Sequence, residues 1–322
     1  MNVYKAAAIF IIIFGLKFIS PILVYIIFSA FLTIILVPIF TYIDKKGLPA
    51  FIAYFITITI LILIFTTIYI LIDNSIKGFL SNLPEYQEKF NEYKLIVQQI
   101  INKYNLNISL ENIDIFTIIN QSFKKIGSIA TSILIIIIGV SFLLFESKSF
   151  GRRISKIVNN KINLKNFYNN TQKYFLIKTF TSFLTGLFIG LMLYFFGVDF
   201  AFLFGFLAFL FNFIPVIGSI IASIPGISIA LVTQDLWITF YVGLLYLVIN
   251  ISISNILEPK IMGEGLDLSP AIIFFSLLFW GWIFGIIGTF LAVPLTMTLK
   301  LAFESSNDTK LIGELMSRHK KN

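Results

Sequence analysis

The chain has 322 residues, 58% of them hydrophobic and only 12% charged, with a mean hydropathy of +0.93. A soluble domain carries about a quarter charged residues, so the composition excludes an ordinary soluble globule and points to an all-α polytopic membrane protein in a lipid bilayer. The net charge of +8 then reads as a topology signal rather than a nucleic-acid footprint, and the lack of cysteine excludes disulfides, thiolate metal sites and a cysteine nucleophile.

About eight hydrophobic spans are expected, at 6–20, 22–43, 50–72, 126–146, 172–196, 199–233, 236–257 and 268–303. The first stretch is long, has no Ala-x-Ala site and leads straight into the second, which argues against a cleaved signal peptide. Lys17 and Ser20-Pro21 divide the first two, which are either separate spans or one broken helix too long for a single crossing unless strongly tilted. Residues 74–125 form the one sizeable polar insertion and are expected to be a small extramembrane helical element. Within it the pattern predicts a helix over 82–104, with Asn82 as its cap, Pro84 at its start and Glu85 and Glu88 in its first turn.

Residues 147–173 contain Lys148, Arg152, Arg153, Lys156, Lys161, Lys165 and Lys173 and no acid, so this segment is expected in the cytoplasm. The insertion then lies outside. The N-terminus with Lys5, the Lys45-Lys46 pair and the tail with Lys310, Arg318, Lys320 and Lys321 lie inside. His319, the single histidine, reads as a solvated tail residue. The expected organisation is scaffold membrane helices (1–73), the insertion (74–125), a membrane helix with its basic segment (126–171), a transport unit (172–304) and a basic cytoplasmic tail (305–322).

The last half holds a pattern that occurs twice. GVDFAFLFGFLAFLFNFIPVIGSIIASIP at 197–225 is matched by GLDLSPAIIFFSLLFWGWIFGIIGTFLAVP at 265–294. Gly197 and Asp199 pair with Gly265 and Asp267, Gly218 with Gly288, and Pro225 with Pro294. Each copy is a full span followed by an interrupted segment that returns to the side it came from, so the second copy is inverted. Paired interrupted segments of this kind mark a transporter's binding site. Their length favours helical hairpins whose tips meet near the membrane midplane, where broken backbone is tolerated only inside protein or along a wet cavity.

The first tip is expected at Asn212–Ser219. Pro215 removes a donor, Gly218 permits a positive φ, and Asn212 and Ser219 either serve the freed backbone or contact a solute. The second tip is expected at Phe279-Trp280-Gly281-Trp282, continuing to Gly285. Its aromatics either line a solute site or anchor at the membrane interface. Asn250, Ser254 and Glu258 fall on one helical face, beside Asn255. Glu258 either couples transport to H⁺ or Na⁺ or pairs with Lys260 at the interface. Lys178, Ser182 and Thr185 share a face of the fifth span. Gly186-x-x-x-Gly190 one turn on reads as close helix packing. Asp199, Asp235 and Asp267 read as interfacial helix caps. There is no His-Glu-x-x-His, Gly-x-Ser-x-Gly or P-loop, so hydrolysis and ATP-driven transport are unsupported and no cofactor is expected.

At GVDFAFLFGFLAFLFNFIPVIGSIIASIPGISIALV and NILEPKIMGEGLDLSPAIIFFSLLFWGWIFGIIGTFLAVPLTMTLKLAFE the chain resembles the autoinducer-2 exporter family of bacterial inner-membrane transporters, most similarly its quorum-signal exporter branch. The resemblance implies export of a small polar solute, a homo-oligomer (a pentamer) and a mobile transport unit working against a fixed scaffold. Other branches of that family are associated with Na⁺/H⁺ exchange. Two alternatives to solute export therefore stand, a cation/proton antiporter and a non-transporting membrane scaffold. Two broken segments at matched positions argue against the scaffold.

Overall fold

The structure, a computed structural model, describes residues 3–104, 129–157, 164–215, 217–262, 268–305 and 309–317. All the regular elements among them are helical. In order they are α1 Val3–Asp44, α2 Ala50–Lys103, α3 Ile129–Ile157, α4 Leu164–Phe195, α5 Ala201–Phe211, α6 Ile217–Thr233 and α7 Leu236–Asn250. A π-helical segment, Ile251–Leu257, follows, then α8 Glu258–Met262, α9 Pro270–Phe290, α10 Ala292–Glu304 and α11 Lys310–Leu315. Among the described residues, five helical stretches are long and apolar enough to cross a membrane: Phe10–Asp44, Ala50–Lys103, Asn169–Phe195, Leu236–Met262 and Pro270–Phe290. Three shorter apolar helices, Ser132–Ser147, Ala201–Phe211 and Ile217–Thr233, replace the remaining expected spans.

The two expected N-terminal spans are one helix, α1, about 60 Å long. Proline inside a helix removes the donor for the carbonyl four residues earlier. Pro21 leaves the carbonyl of Lys17 without its donor, and Ser20 Oγ supplies one at 2.8 Å. Pro38 does the same to Ile34, whose oxygen accepts from Gln172 Nε2 at 3.5 Å. Both prolines are thus carried without ending the helix. A single helix that crosses leaves on the side opposite to its start, so the two-span count behind a shared side for the N-terminus and Lys45-Lys46 does not carry over.

The helix expected over 82–104 is also part of a longer one. Helix α2 runs for 54 residues with Pro84 in its interior, and Asn82 is not a cap but donates to Tyr86 Oη at 3.3 Å. Tertiary packing overrides the local start signal. Ile76, Phe79, Leu83 and Tyr86 recur at helical spacing and bury against Val198, Leu203 and Phe204. At about 80 Å, α2 is far longer than the ~30 Å hydrocarbon core. Residues 105–125 of the insertion lie outside the described residues. So do the side chains of Lys148, Arg152, Arg153, Lys156, Lys161 and Lys165, and residues Gly265, Asp267, Arg318, His319, Lys320 and Lys321.

The chain forms two compact units. The first comprises Met1–Ile64, Thr131–Lys178 and Ile261–Asn322; the second comprises Phe65–Ala130 and Thr179–Lys260. These units cut across the expected 172–304 segment. The core of the first is built on Phe31, Phe175, Leu291 and Met297, with a smaller cluster of Val24, Ile283 and Phe284. The core of the second gathers Phe79, Leu193, Phe204, Ile229 and Tyr246. There α4 and α5 pack backbone to backbone: a Cβ on Gly186 would sit 2.7 Å from the Gly205 carbonyl. Gly186-x-x-x-Gly190 is therefore a packing motif, as its spacing predicts.

Candidate transport site

The segment expected as hairpin one, α5 and α6, lies in the second unit. The chain enters it through Gly197 and Phe200, both at positive φ (68° and 57°). Asp199 is not the N-cap of α5, which is Phe200; its carboxylate accepts from Tyr86 Oη at 2.7 Å. Asp235 does stand at the N-cap of α7, without a side-chain capping bond.

The hairpin turns between α5 and α6, where the sequence places its tip. Ile217 N donates to Pro215 O at 2.7 Å, closing the bend. Gly218 is needed there for a different reason from the expected one. Its φ is not positive; instead, a Cβ at this position would run into the Phe211 carbonyl. Glycine permits the two arms to meet backbone to backbone.

Asn212, only 3% exposed, is the hub of the tip. Its Nδ2 donates to Ser182 Oγ on α4 at 3.0 Å. Its Oδ1 accepts from Ser254 Oγ at 3.3 Å. Ser254 lies in the π-helical segment, and such insertions are concentrated at functional sites. One turn further on, Glu258 Oε2 accepts from Thr181 Oγ1 at 3.3 Å. Thr185 Oγ1 bonds back to the Thr181 carbonyl at 2.9 Å. Thr181, Ser182 and Thr185 are all essentially inaccessible. Two hydrogen-bonded sets from three segments thus stand a turn apart, Ser182–Asn212–Ser254 and Thr181–Glu258.

The π turns change the expected face. Asn250 leaves the row and donates to the Tyr246 carbonyl at 2.8 Å, while Ser254 and Glu258 remain in the cluster. Asn255 is exposed and lies outside the cluster. Ser219 is also elsewhere. With Ser223, Thr239, Tyr246 and Asn250 it lines a cavity of about 410 Å³ between α6 and α7. Tyr246 Oη and Asn250 Oδ1 are buried there without hydrogen-bond partners. Lys178 is buried one helical turn before Ser182 and belongs to the first unit. Thr181 escaped the sequence reading, although Lys178, Thr181, Ser182 and Thr185 fill one helical face at i, i+3, i+4 and i+7.

Hairpin two, α9 and α10, lies in the first unit. Its break falls at the last residue of the expected tip. Phe279 to Trp282 are helical, and the backbone leaves the helix at Gly285 (φ 67°, ψ −149°). Trp280 Nε1 donates to Thr296 Oγ1 of α10 at 3.0 Å, and its ring stacks on Phe284 at 5.8 Å. A Cβ on Gly281 would lie 2.6 Å from Thr289 Oγ1, and one on Gly288 would run into the Trp280 carbonyl. Gly288 thus meets the preceding arm as Gly218 does in hairpin one. Trp282 is 46% exposed and meets Phe14 of α1 edge-on at 6.0 Å. Among the described residues, no three histidines or carboxylates converge to hold a metal ion.

Residues 7–308 match the family described as AI-2E family transporter. The chain belongs to that family. A putative transport protein of Haemophilus influenzae is 32% identical over 94% of this chain and 92% of its own length. The AI-2 transport protein TqsA of Escherichia coli K12 is 30% identical over 95% and 92%. The putative transport protein YhhT of the same strain is 29% identical over 97% and 93%. The protein is therefore a multi-pass bacterial membrane transporter, as the sequence resemblance implied, and its family is one of transporters rather than enzymes.

Proposed function

We propose that the chain is a secondary transporter that exports a small polar solute of the autoinducer-2 kind by alternating access, with a role in quorum signalling, from the bacterial inner membrane. The buried Ser182–Asn212–Ser254 network at the tip of hairpin one carries this reading. Three neutral polar side chains that hold one another at a broken helix tip can exchange those bonds for bonds to a solute at little net cost. Pro215 and Gly218 shape that tip. Ser219 extends the polar surface into the neighbouring cavity. In hairpin two, Phe279, Trp280, Gly281 and Trp282 supply an apolar wall with the Trp280–Thr296 bond as its polar handle. The sequence pattern adds an inverted repeat and cytoplasmic termini, and the family resemblance adds a homo-oligomer, taken as a pentamer.

A second reading, cation/proton antiport, is favoured by the Thr181–Glu258 bond. A carboxylate beside hydroxyl and amide oxygens is the donor set of a hard cation, and an acid in a membrane helix marks an ion path. Proteoliposomes carrying the purified protein, given imposed Na⁺ or H⁺ gradients, separate the two. Solute export predicts gradient-driven movement of a labelled neutral polyol or autoinducer-2. Antiport predicts Na⁺-dependent pH change with no solute present. Neither response would remove both readings.

A further inference from the structure

The tip of hairpin two contains a positive charge from another helix. Gly285 takes a backbone conformation open essentially to glycine alone. The carbonyls of the turn before it therefore lose their usual donors four residues on. Lys17 of α1 fills that gap. Its Nζ donates to the Trp282 carbonyl and, at 3.3 Å, to the Ile283 carbonyl. It also lies 5.6 Å from the centre of the Trp282 ring. Two carbonyls at the negative end of a half-helix, with an aromatic face alongside, make a cation cradle. In broken-helix transporters such half-helix ends coordinate the coupling cation.

We propose that Lys17 is a tethered cation seated in a cation site at the tip of hairpin two, a positioning residue that holds this hairpin closed without a free ion. The chemistry explains why a lysine interrupts an otherwise apolar stretch of α1. An ammonium in a membrane helix is costly unless it finds acceptors, and the broken tip presents two. The assignment does not depend on which solute is carried. It does predict that removing the tether converts the site into one that accepts a free alkylammonium.

The natural chain has no cysteine, so a single Ile286→Cys, next to the break and 76% exposed, reports on the tip. Reaction of this cysteine with a water-soluble maleimide is followed in the full-length protein in proteoliposomes. Adding Lys17→Met should speed labelling by about tenfold or more, the effect of losing charge-assisted hydrogen bonds. Adding Lys17→Arg should leave the rate near that of the parent. Millimolar ethylammonium should slow the Lys17→Met protein back toward the parent rate, and tetraethylammonium should not. Unchanged labelling of Lys17→Met, fast labelling of Lys17→Arg, or failure of ethylammonium to slow Lys17→Met would overturn the assignment. If Lys17→Met does not fold, Lys17→Gln, which keeps a neutral donor, should label faster than the parent by a smaller factor, and labelling at the parent rate overturns the assignment.

Discussion

The tip of hairpin one is joined by neutral groups from three segments, Ser182, Asn212 and Ser254, with the Glu258 carboxylate one turn away. The tip of hairpin two is closed by a lysine ammonium on two carbonyls and by the single Trp280–Thr296 bond. Both hairpins use a glycine whose missing side chain lets the second arm touch a carbonyl of the first, Gly218 on Phe211 and Gly288 on Trp280. The bend geometry is thus shared and the chemistry is not. Neutral donors and acceptors can exchange partners with a solute, whereas a seated ammonium holds a break shut. On the proposed function, hairpin one does the main solute or ion handling and hairpin two mainly positioning.

The shared part of the comparison breaks most severely. Gly218→Ala and Gly288→Ala each place a methyl group into a backbone carbonyl, and overpacking costs about 1–3 kcal/mol or more. Both variants should lose folded protein, read as reduced melting temperature in detergent. A tolerated alanine at one position only would show that the two bends differ. Gly285→Ala should follow at about 1–3 kcal/mol, from backbone strain in the glycine-only region. The same change at Gly218, whose φ is not positive, acts through contact alone. Serine at either position separates the mechanisms no further, but D-alanine introduced by semisynthesis does. It should relieve Gly285, whose mirror-image backbone angles are ordinary for an L-residue, whereas at Gly218, whose φ is not positive, its methyl points away from the Phe211 carbonyl and adds backbone strain instead.

How far these features were legible follows from which forces set them. The helical class, the tip at Asn212–Ser219 and the glycine packing of α4 were readable because hydrophobic length, proline and small-residue spacing act locally. The tip expected over 279–285 holds the break at its last residue, Gly285, while Gly281 sits in the helical arm before it and faces Thr289 of the returning arm. The extent of α1 was misjudged because its prolines are rescued by Ser20 and by Gln172, the latter far away in sequence. The phase of Asn250, Ser254 and Glu258 was set by π turns, which have no signature in side-chain periodicity. Tyr86–Asp199 is a long-range pair between a helix and a loop, beyond any local rule.

That last contact gives a smaller effect. Tyr86→Phe removes the hydrogen bond that anchors the start of hairpin one to α2, together with the bond accepted from the partly buried Asn82, and should cost about 1–2 kcal/mol. Thermal unfolding of the purified variant checks it, and a loss of several kcal/mol would mean that the α2 extension is a larger support than the geometry shows. Thr185→Val should be smaller still. Its hydroxyl only bonds back to the Thr181 carbonyl within α4, so flux and stability should both stay close to the parent.

The central claim is that the neutral network around Asn212 handles the transported species. Asn212→Ala leaves Ser182 and Ser254 without their shared partner, at a cost of about 1–3 kcal/mol. The decisive measurement is flux per folded protein in proteoliposomes for Asn212→Ala beside Trp280→Phe, which removes the only hydrogen bond described for Trp280 while keeping an aromatic wall. The account predicts that Asn212→Ala loses most of its gradient-driven flux and that Trp280→Phe keeps most of it. Equal flux in Asn212→Ala and the parent, at matched folded protein, would contradict it.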